Sequence, residues 1–252
     1  MEIVDQYGSD ALRMGIITGQ TPGNNQPFGP PKVVGARNFC NKLWNIARYI
    51  EDKVGDGYKT GQPQLQSDAD HWIVHKLSQT AAKMADHLDN YRYSEAYEML
   101  YHFVWDDFAD WYIEASKAEE NKPVLAFVLE STLAITHPFA PFVTETIWQT
   151  LQWAPSQVLA ASSWPEIPRA DAKRAKAFEE VKTIISEARA VMQAVGVTKT
   201  TLTYSDAPVV EANAELIKRL ARLESVAYGT AENGVTLTQT KQKTHFIEWL
   251  TV

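Results

Sequence analysis

The chain has 252 residues, 45% hydrophobic and 22% charged, with eight Trp and ten Tyr, which is room for one large or two modest globular domains. No stretch approaches the ~20 apolar residues of a membrane span and no basic-then-apolar start marks a signal peptide, so a cytoplasmic protein is expected. A net charge of −7 argues against indiscriminate phosphate binding, and the lone Cys40 excludes a disulfide framework or a zinc cluster.

Residues 1–19 read as one short helix, with Ile3, Val4, Tyr7, Ala11, Leu12 and Met14 on its apolar side. A chain that opens inside such an element, without lead-in, is expected to be a fragment. Residues 21–31 hold four prolines and two glycines and read as a loop. Helical periodicity runs through 32–53 and ends at the Gly-rich stretch 55–61. Ser67 is placed to cap a helix to about Leu88, and Ser94, backed by Glu95 and Glu98, opens another to about Lys117. Helices over 122–136 and from 141 to about 153 follow. Between them His137-Pro138-Phe139-Ala140-Pro141 breaks the chain, because proline disfavours helix at the residue before it.

Residues 162–168 read as a linker, and a charged helix over 171–195 stops at Gly196. Alternation over 200–204 predicts a strand, 209–223 a helix, and 225–228, 235–238 and 245–249 further strands. The expected fold class is therefore mainly α: an antiparallel helical bundle over 32–155, then a small α+β module over 163–252. On the long helix Lys173, Arg174, Lys176, Lys182 and Arg189 are nearly balanced by Asp171, Glu179, Glu180 and Glu187. That balance favours packing or spacing over phosphate tracking.

The informative segment is 36–50. At ~100° per residue, Ala36, Phe39, Cys40, Leu43, Ile46, Ala47 and Ile50 fill one apolar arc. Asn38, Lys42, Asn45 and Tyr49 form a narrow stripe opposite, with Arg37, Asn41, Trp44 and Arg48 in a second stripe beside it. An ordinary solvated face carries Glu and Lys in pairs, whereas from Lys32 to Arg48 this one has four basic residues, three Asn and no acid. Asn disfavours helix interiors, yet it pairs with base edges; Lys and Arg meet phosphates, and Tyr or Trp stacks on unpaired bases. Bridging to neighbouring helices, with Trp44 simply packed, is the alternative reading.

Other candidates carry less. Asp106, Asp107, Asp110 and Glu114 share a helix with an apolar stripe of Leu100, Val104, Phe108, Trp111 and Ala115. With nothing else converging on them, they read as a solvated or helix-bridging face rather than catalytic carboxylates or magnesium ligands. His71 and His75 have zinc-like spacing but no following Glu and no third ligand. Cys40 lies on the apolar arc and is assigned to the core.

Several strings resemble a known family. Asp5-Gln6-Tyr7-Gly8-Ser9-Asp10-Ala11-Leu12-Arg13 is similar to the stretch that follows the Lys-Met-Ser-Lys-Ser loop in class I aminoacyl-tRNA synthetases. Arg37-Asn38-Phe39-Cys40-Asn41-Lys42-Leu43-Trp44-Asn45 resembles the start of the anticodon-binding bundle in the valyl branch. Phe108-Ala109-Asp110-Trp111-Tyr112-Ile113-Glu114 resembles the bundle's central helix, and His137-Pro138-Phe139-Ala140-Pro141-Phe142-Val143-Thr144-Glu145 with Trp148 its late corner. Ser163-Trp164-Pro165 is also similar, and the matches keep the family's order over about two-thirds of the chain.

The resemblance implies a C-terminal piece of such an enzyme, with 1–31 closing the stem-contact region. It implies a domain that binds valine tRNA and reads an anticodon whose shared letters are A and C. It places Lys42 and Tyr49 towards the anticodon, and Lys32 where valyl enzymes can carry Arg. The candidate tRNA-binding residues are thus Lys32, Arg37, Asn38, Asn41, Lys42, Asn45, Arg48 and Tyr49. The His-Ile-Gly-His-type and Lys-Met-Ser-Lys-Ser motifs and the closing helical arm are missing from this sequence. No catalytic or metal-binding residue and no cofactor is therefore expected here, ATP and magnesium belonging to the parent ligase. A monomer that binds neither DNA nor membrane is expected. The isoleucyl or leucyl equivalent, a helical protein-interaction scaffold and a self-contained helical enzyme remain as alternatives.

Overall fold

The computed structural model describes residues 2–19, 27–55, 58, 61–153, 158–229, 235–237 and 244–246. The expected loop at 21–26, much of the Gly-rich stretch and the outer ends of the last two expected strands, 238 and 247–249, lie outside the described residues. Gly8, at φ +89°, divides the first expected helix into α1 (Glu2–Tyr7) and α2 (Ser9–Ile17), because residues with a Cβ rarely adopt that conformation. The chain continues as α3 (Pro30–Val54), α4 (Asp68–Asp89) and α5 (Tyr93–His102), which runs into a π-helical segment (Phe103–Tyr112) and α6 (Ile113–Ser116). Next come α7 (Lys122–Thr136), α8 (Pro141–Leu151), α9 (Ala172–Val195), β1 (Thr201–Tyr204), α10 (Pro208–Ala212), α11 (Ala214–Ala221), β2 (Ser225–Tyr228), β3 (Val235–Thr236) and β4 (Thr244–Phe246). Among the described residues no strand lies between Lys32 and Trp153, and no helix is long and apolar enough to cross a membrane.

The chain divides into two compact units: residues 1–66, 73–113 and 121–170 make the first, and 67–72, 114–120 and 171–252 the second. In the first, α3 packs on α1, α2, α7, α8 and the π-helical segment. Val33, Ala36, Phe39, Leu43, Ile46, Ala47 and Ile50 are its buried residues. Helix α7 is apolar almost all round, as a central helix must be. Helix α2 locks a distant corner: the Asp10 carboxylate accepts from the N–H groups of Phe142 (3.2 Å) and Val143 (2.7 Å) in the first turn of α8. Arg13 meanwhile donates to the carbonyls of Pro138 and Phe139. An acid at a helix N-terminus satisfies donors that have no partner within the helix.

In the second unit, Ser67 Oγ accepts from Asp70 N–H and Asp70 Oδ2 accepts from Ser67 N–H, a reciprocal capping box. The Trp72 ring lies 4.9 Å from that of Phe178, tilted by 42°, and Trp72 donates to Glu179, while Arg174 donates to Asp68. These contacts join the first turn of α4, which the sequence reading counts with the bundle, to α9. Asp171 caps α9 by accepting from Lys173 N–H and Arg174 N–H, and Gly196, at φ +73°, ends it. The sheet has the order β2-β1-β4-β3, with β1 parallel to β2 and antiparallel to β4.

Three expectations are corrected. Ser94 caps nothing, since α5 begins at Tyr93 with Arg92 before it. The expected helix over 209–223 breaks at Asn213, whose side chain turns back to the carbonyl of Val209. The third concerns 94–117, where wider π-helical turns move the apolar set around the axis. Tyr112, 1% exposed, is buried together with Phe103, Val104, Phe108 and Ala109, while Trp111 is only half-buried.

Two stability experiments follow from this packing. Asp10→Ala is expected to cost about 1–3 kcal/mol, read as a lower urea midpoint, because two helix-terminal N–H groups lose a charged acceptor. Glu130 on α7 has its Oε1 buried without a hydrogen-bond partner among the described residues, and desolvation pushes its carboxyl up to about 7. A carboxyl that holds its proton more tightly when folded stabilises in acid and loses that stabilisation as pH rises towards 7. Glu130→Gln is therefore expected to gain on the parent by up to ~3 kcal/mol between pH 5 and 8, seen as a flatter dependence of the urea midpoint on pH.

Candidate nucleic-acid interface

Because the apolar arc of α3 is buried, its polar stripes must face outward. Asn38, Asn41, Asn45 and Arg48 are exposed, while Lys32, Arg37, Lys42 and Tyr49 are half-buried. The amides of Asn38, Asn41 and Asn45 make no hydrogen bond with the described residues. Helix α3 thus presents a row of open donor–acceptor groups, flanked by cations and the Tyr49 ring. Lys53 lies 5.9 Å from the centre of that ring.

Lys42 stands at the edge of this face, next to the π-helical segment. Its Nζ donates to Asp110 Oδ1 at 2.9 Å and sits 5.0 Å from the centre of the Trp105 ring. Trp105 in turn stacks on Tyr101 at 5.6 Å with the planes 9° apart. The ammonium is therefore held by a carboxylate and a ring face together.

The remaining candidates do not all join the face. Lys32 Nζ donates to the Thr18 carbonyl at 2.8 Å. The Arg37 guanidinium lies 5.5 Å from the Tyr7 ring of α1, with its Nε buried and without a hydrogen-bond partner among the described residues. Both are turned towards the N-terminal helices. On the other flank, Trp44, which is exposed, and Arg48 line a groove with Glu51 and with Ile147, Thr150 and Leu151 of α8. Asn38, Asn41, Lys42, Asn45, Arg48 and Tyr49 form the continuous surface.

The acidic segment has a bridging role at Asp110, while Asp106 contacts His102 four residues before it and Glu114 contacts Lys117 three residues after it. Neither Asp110 nor Trp105 could be placed next to Lys42 from periodicity, because 68 residues separate the ion pair and an α-helical wheel misaligns the π-helical turns. His71 accepts from the N–H of Asp171, and His75 is bonded to Gln79. Cys40 lies at the rim of the buried arc and is half-buried rather than fully enclosed, its thiol pushed up to about 12 by burial.

The model for the anticodon-binding domain of tRNA ligase matches residues 70–206, more than half of the chain. Valine–tRNA ligase of Staphylococcus aureus strain MRSA252 is 36% identical over 208 residues, covering 77% of this chain and 23% of that protein. The strain JH9 enzyme gives the same figures, so the chain spans about a quarter of the length of these curated relatives. Among solved structures, the crystal structure of the ternary complex of Agrobacterium radiobacter K84 agnB2 LeuRS, tRNA and LeuAMS shares the fold, with a TM-score of 0.56. It is 17% identical and covers 66% of this chain and 21% of that one. The chain belongs to the family of anticodon-binding domains of tRNA ligases.

Proposed function

We propose that this chain is the tRNA-reading part of a valine–tRNA ligase, and that the face of α3 bearing Asn38, Lys42, Asn45 and Tyr49 meets the unpaired bases of the anticodon. The observation that carries this reading is a helix face with three exposed Asn amides that make no hydrogen bond with the described residues, beside two cations and a ring, on a chain of net charge −7. Such a face is costly in helix propensity and offers nothing to a hydrophobic partner. It suits splayed bases, which are read by hydrogen bonds to their edges and by stacking. The kinship to valine–tRNA ligases supports valine tRNA as the RNA and A and C as the letters read. ATP and magnesium would be used by the remainder of the ligase, and this part would act by holding and checking the tRNA as a monomer in the cytoplasm.

With ATP, valine and pyrophosphate, the chain alone is expected to give no exchange above background; robust exchange would contradict the assignment. In tRNA binding, Tyr49→Ala is expected to cost ~1–3 kcal/mol through loss of a base–ring stack. Lys42→Ala is expected to cost a similar ~1–3 kcal/mol and to narrow the preference for A–C anticodons over swapped ones. If both variants bind valine tRNA like the parent, this face does not read the anticodon. Binding indifferent to salt would instead favour a protein-interaction scaffold.

A further inference from the structure

Asp110 is out of place on a surface meant for RNA. From Lys32 to Arg48 helix α3 carries no acid, yet the π-helical segment brings a carboxylate to 2.9 Å from the Lys42 ammonium. An ion pair this open contributes little to stability: the Lys42 side chain is 29% exposed and that of Asp110 52%. A carboxylate here also repels phosphate. Its geometry nevertheless has one clear chemical use. Asp110 Oδ1 is on Lys42, while Oδ2 has no partner among the described residues. Lys42 is steadied from a second side by the Trp105 ring, so donor and acceptor are fixed side by side before any ligand arrives.

We propose that Asp110 is a specificity-determining residue: together with Lys42 it reads one anticodon base, Asp110 Oδ2 accepting from the exocyclic amino group and Lys42 Nζ donating to the adjacent ring nitrogen. This rests on the reading that the α3 face meets an anticodon with the letters A and C. Both of these bases carry an amino donor next to an unprotonated ring nitrogen, N6 beside N1 in adenine and N4 beside N3 in cytosine. Carboxylates accept from such amino groups elsewhere in nucleic-acid recognition. A base with a keto oxygen in place of the amino group sets acceptor against acceptor, and leaving a carboxylate desolvated without a donor is costly. Asp110 thus rejects the wrong letter, and Lys42 offsets the repulsion its charge would bring to the backbone. The pair accounts for an acid that adds neither stability nor general RNA affinity.

The test uses the whole chain and three tRNA transcripts: valine tRNA, the same with the anticodon C replaced by U, and the same with the anticodon A replaced by inosine. The two replacements exchange an amino group for a keto oxygen and also give the adjacent ring nitrogen a hydrogen. The parent is expected to discriminate against one replacement by roughly ten- to a hundredfold in Kd. Asp110→Ala, and Asp110→Leu of similar volume, are expected to bring that ratio to within about threefold while the other ratio stays. An unchanged thermal midpoint shows that the variants are folded. If both variants keep the parent's ratio while Lys42→Ala loses it, Asp110 merely pairs with Lys42, and the inference is overturned with the α3 reading intact. If affinity rises equally for all three transcripts, the carboxylate only repels phosphate, and the inference is again overturned. If Lys42→Ala and Tyr49→Ala also bind like the parent, the α3 reading itself fails.

Discussion

Burial of one arc of α3 fixes what the first unit can present to a partner. Val33, Ala36, Phe39, Leu43, Ile46, Ala47 and Ile50 are all at most 5% exposed, against α1, α2, α7, α8 and the π-helical segment. Removing a ring such as Phe39 from a core of this density costs about 3–5 kcal/mol. Turning α3 about its axis by one residue would bring Lys42 or Trp44 into that core and expose Phe39 or Leu43. Burying an unpaired ammonium is more costly still. The outward direction of Asn38, Asn41, Asn45 and Arg48 therefore follows from the core, and the three helix-disfavouring Asn are tolerated because packing, not propensity, holds the helix.

The same unit uses charge locally. Asp10 and Arg13 on α2 reach more than 120 residues along the sequence to hold the turn before α8 and its first N–H groups. The two strings involved each resemble synthetase sequence on their own, and in the fold they dock on each other. A chain that is acidic in total can thus keep an acid-free stripe on one helix. Several of its carboxylates are engaged elsewhere, as caps, in local ion pairs and in the Asp110 contact with Lys42.

The helix positions were legible because period, caps and breakers agree: α7, α9 and β2 fall where pattern alone puts them. The polar stripe of α3 was legible for the same reason, since the wheel needs only local sequence. Four features were not. The π-helical turns of Phe103–Tyr112 replace one hydrogen-bond register by another, and no residue in Phe-Val-Trp-Asp-Asp-Phe-Ala-Asp-Trp-Tyr announces the change. The Asp110–Lys42 pair and the turn of Arg37 towards Tyr7 depend on which helices become neighbours, a property of packing between distant segments. The glycine permits the break at Gly8, but apolar periodicity continues across it and masks the positive φ.

That the α3 face is the RNA-contacting surface is tested most directly by the side-chain amide resonances of Asn38, Asn41 and Asn45 in the 15N-labelled chain as valine tRNA is added. Direct contact predicts that Asn38 and Asn45 shift with the binding midpoint, while Asn121, whose amide is held by Gln64, stays in place. Saturable tRNA binding that leaves Asn38 and Asn45 unmoved would show that the RNA lies elsewhere.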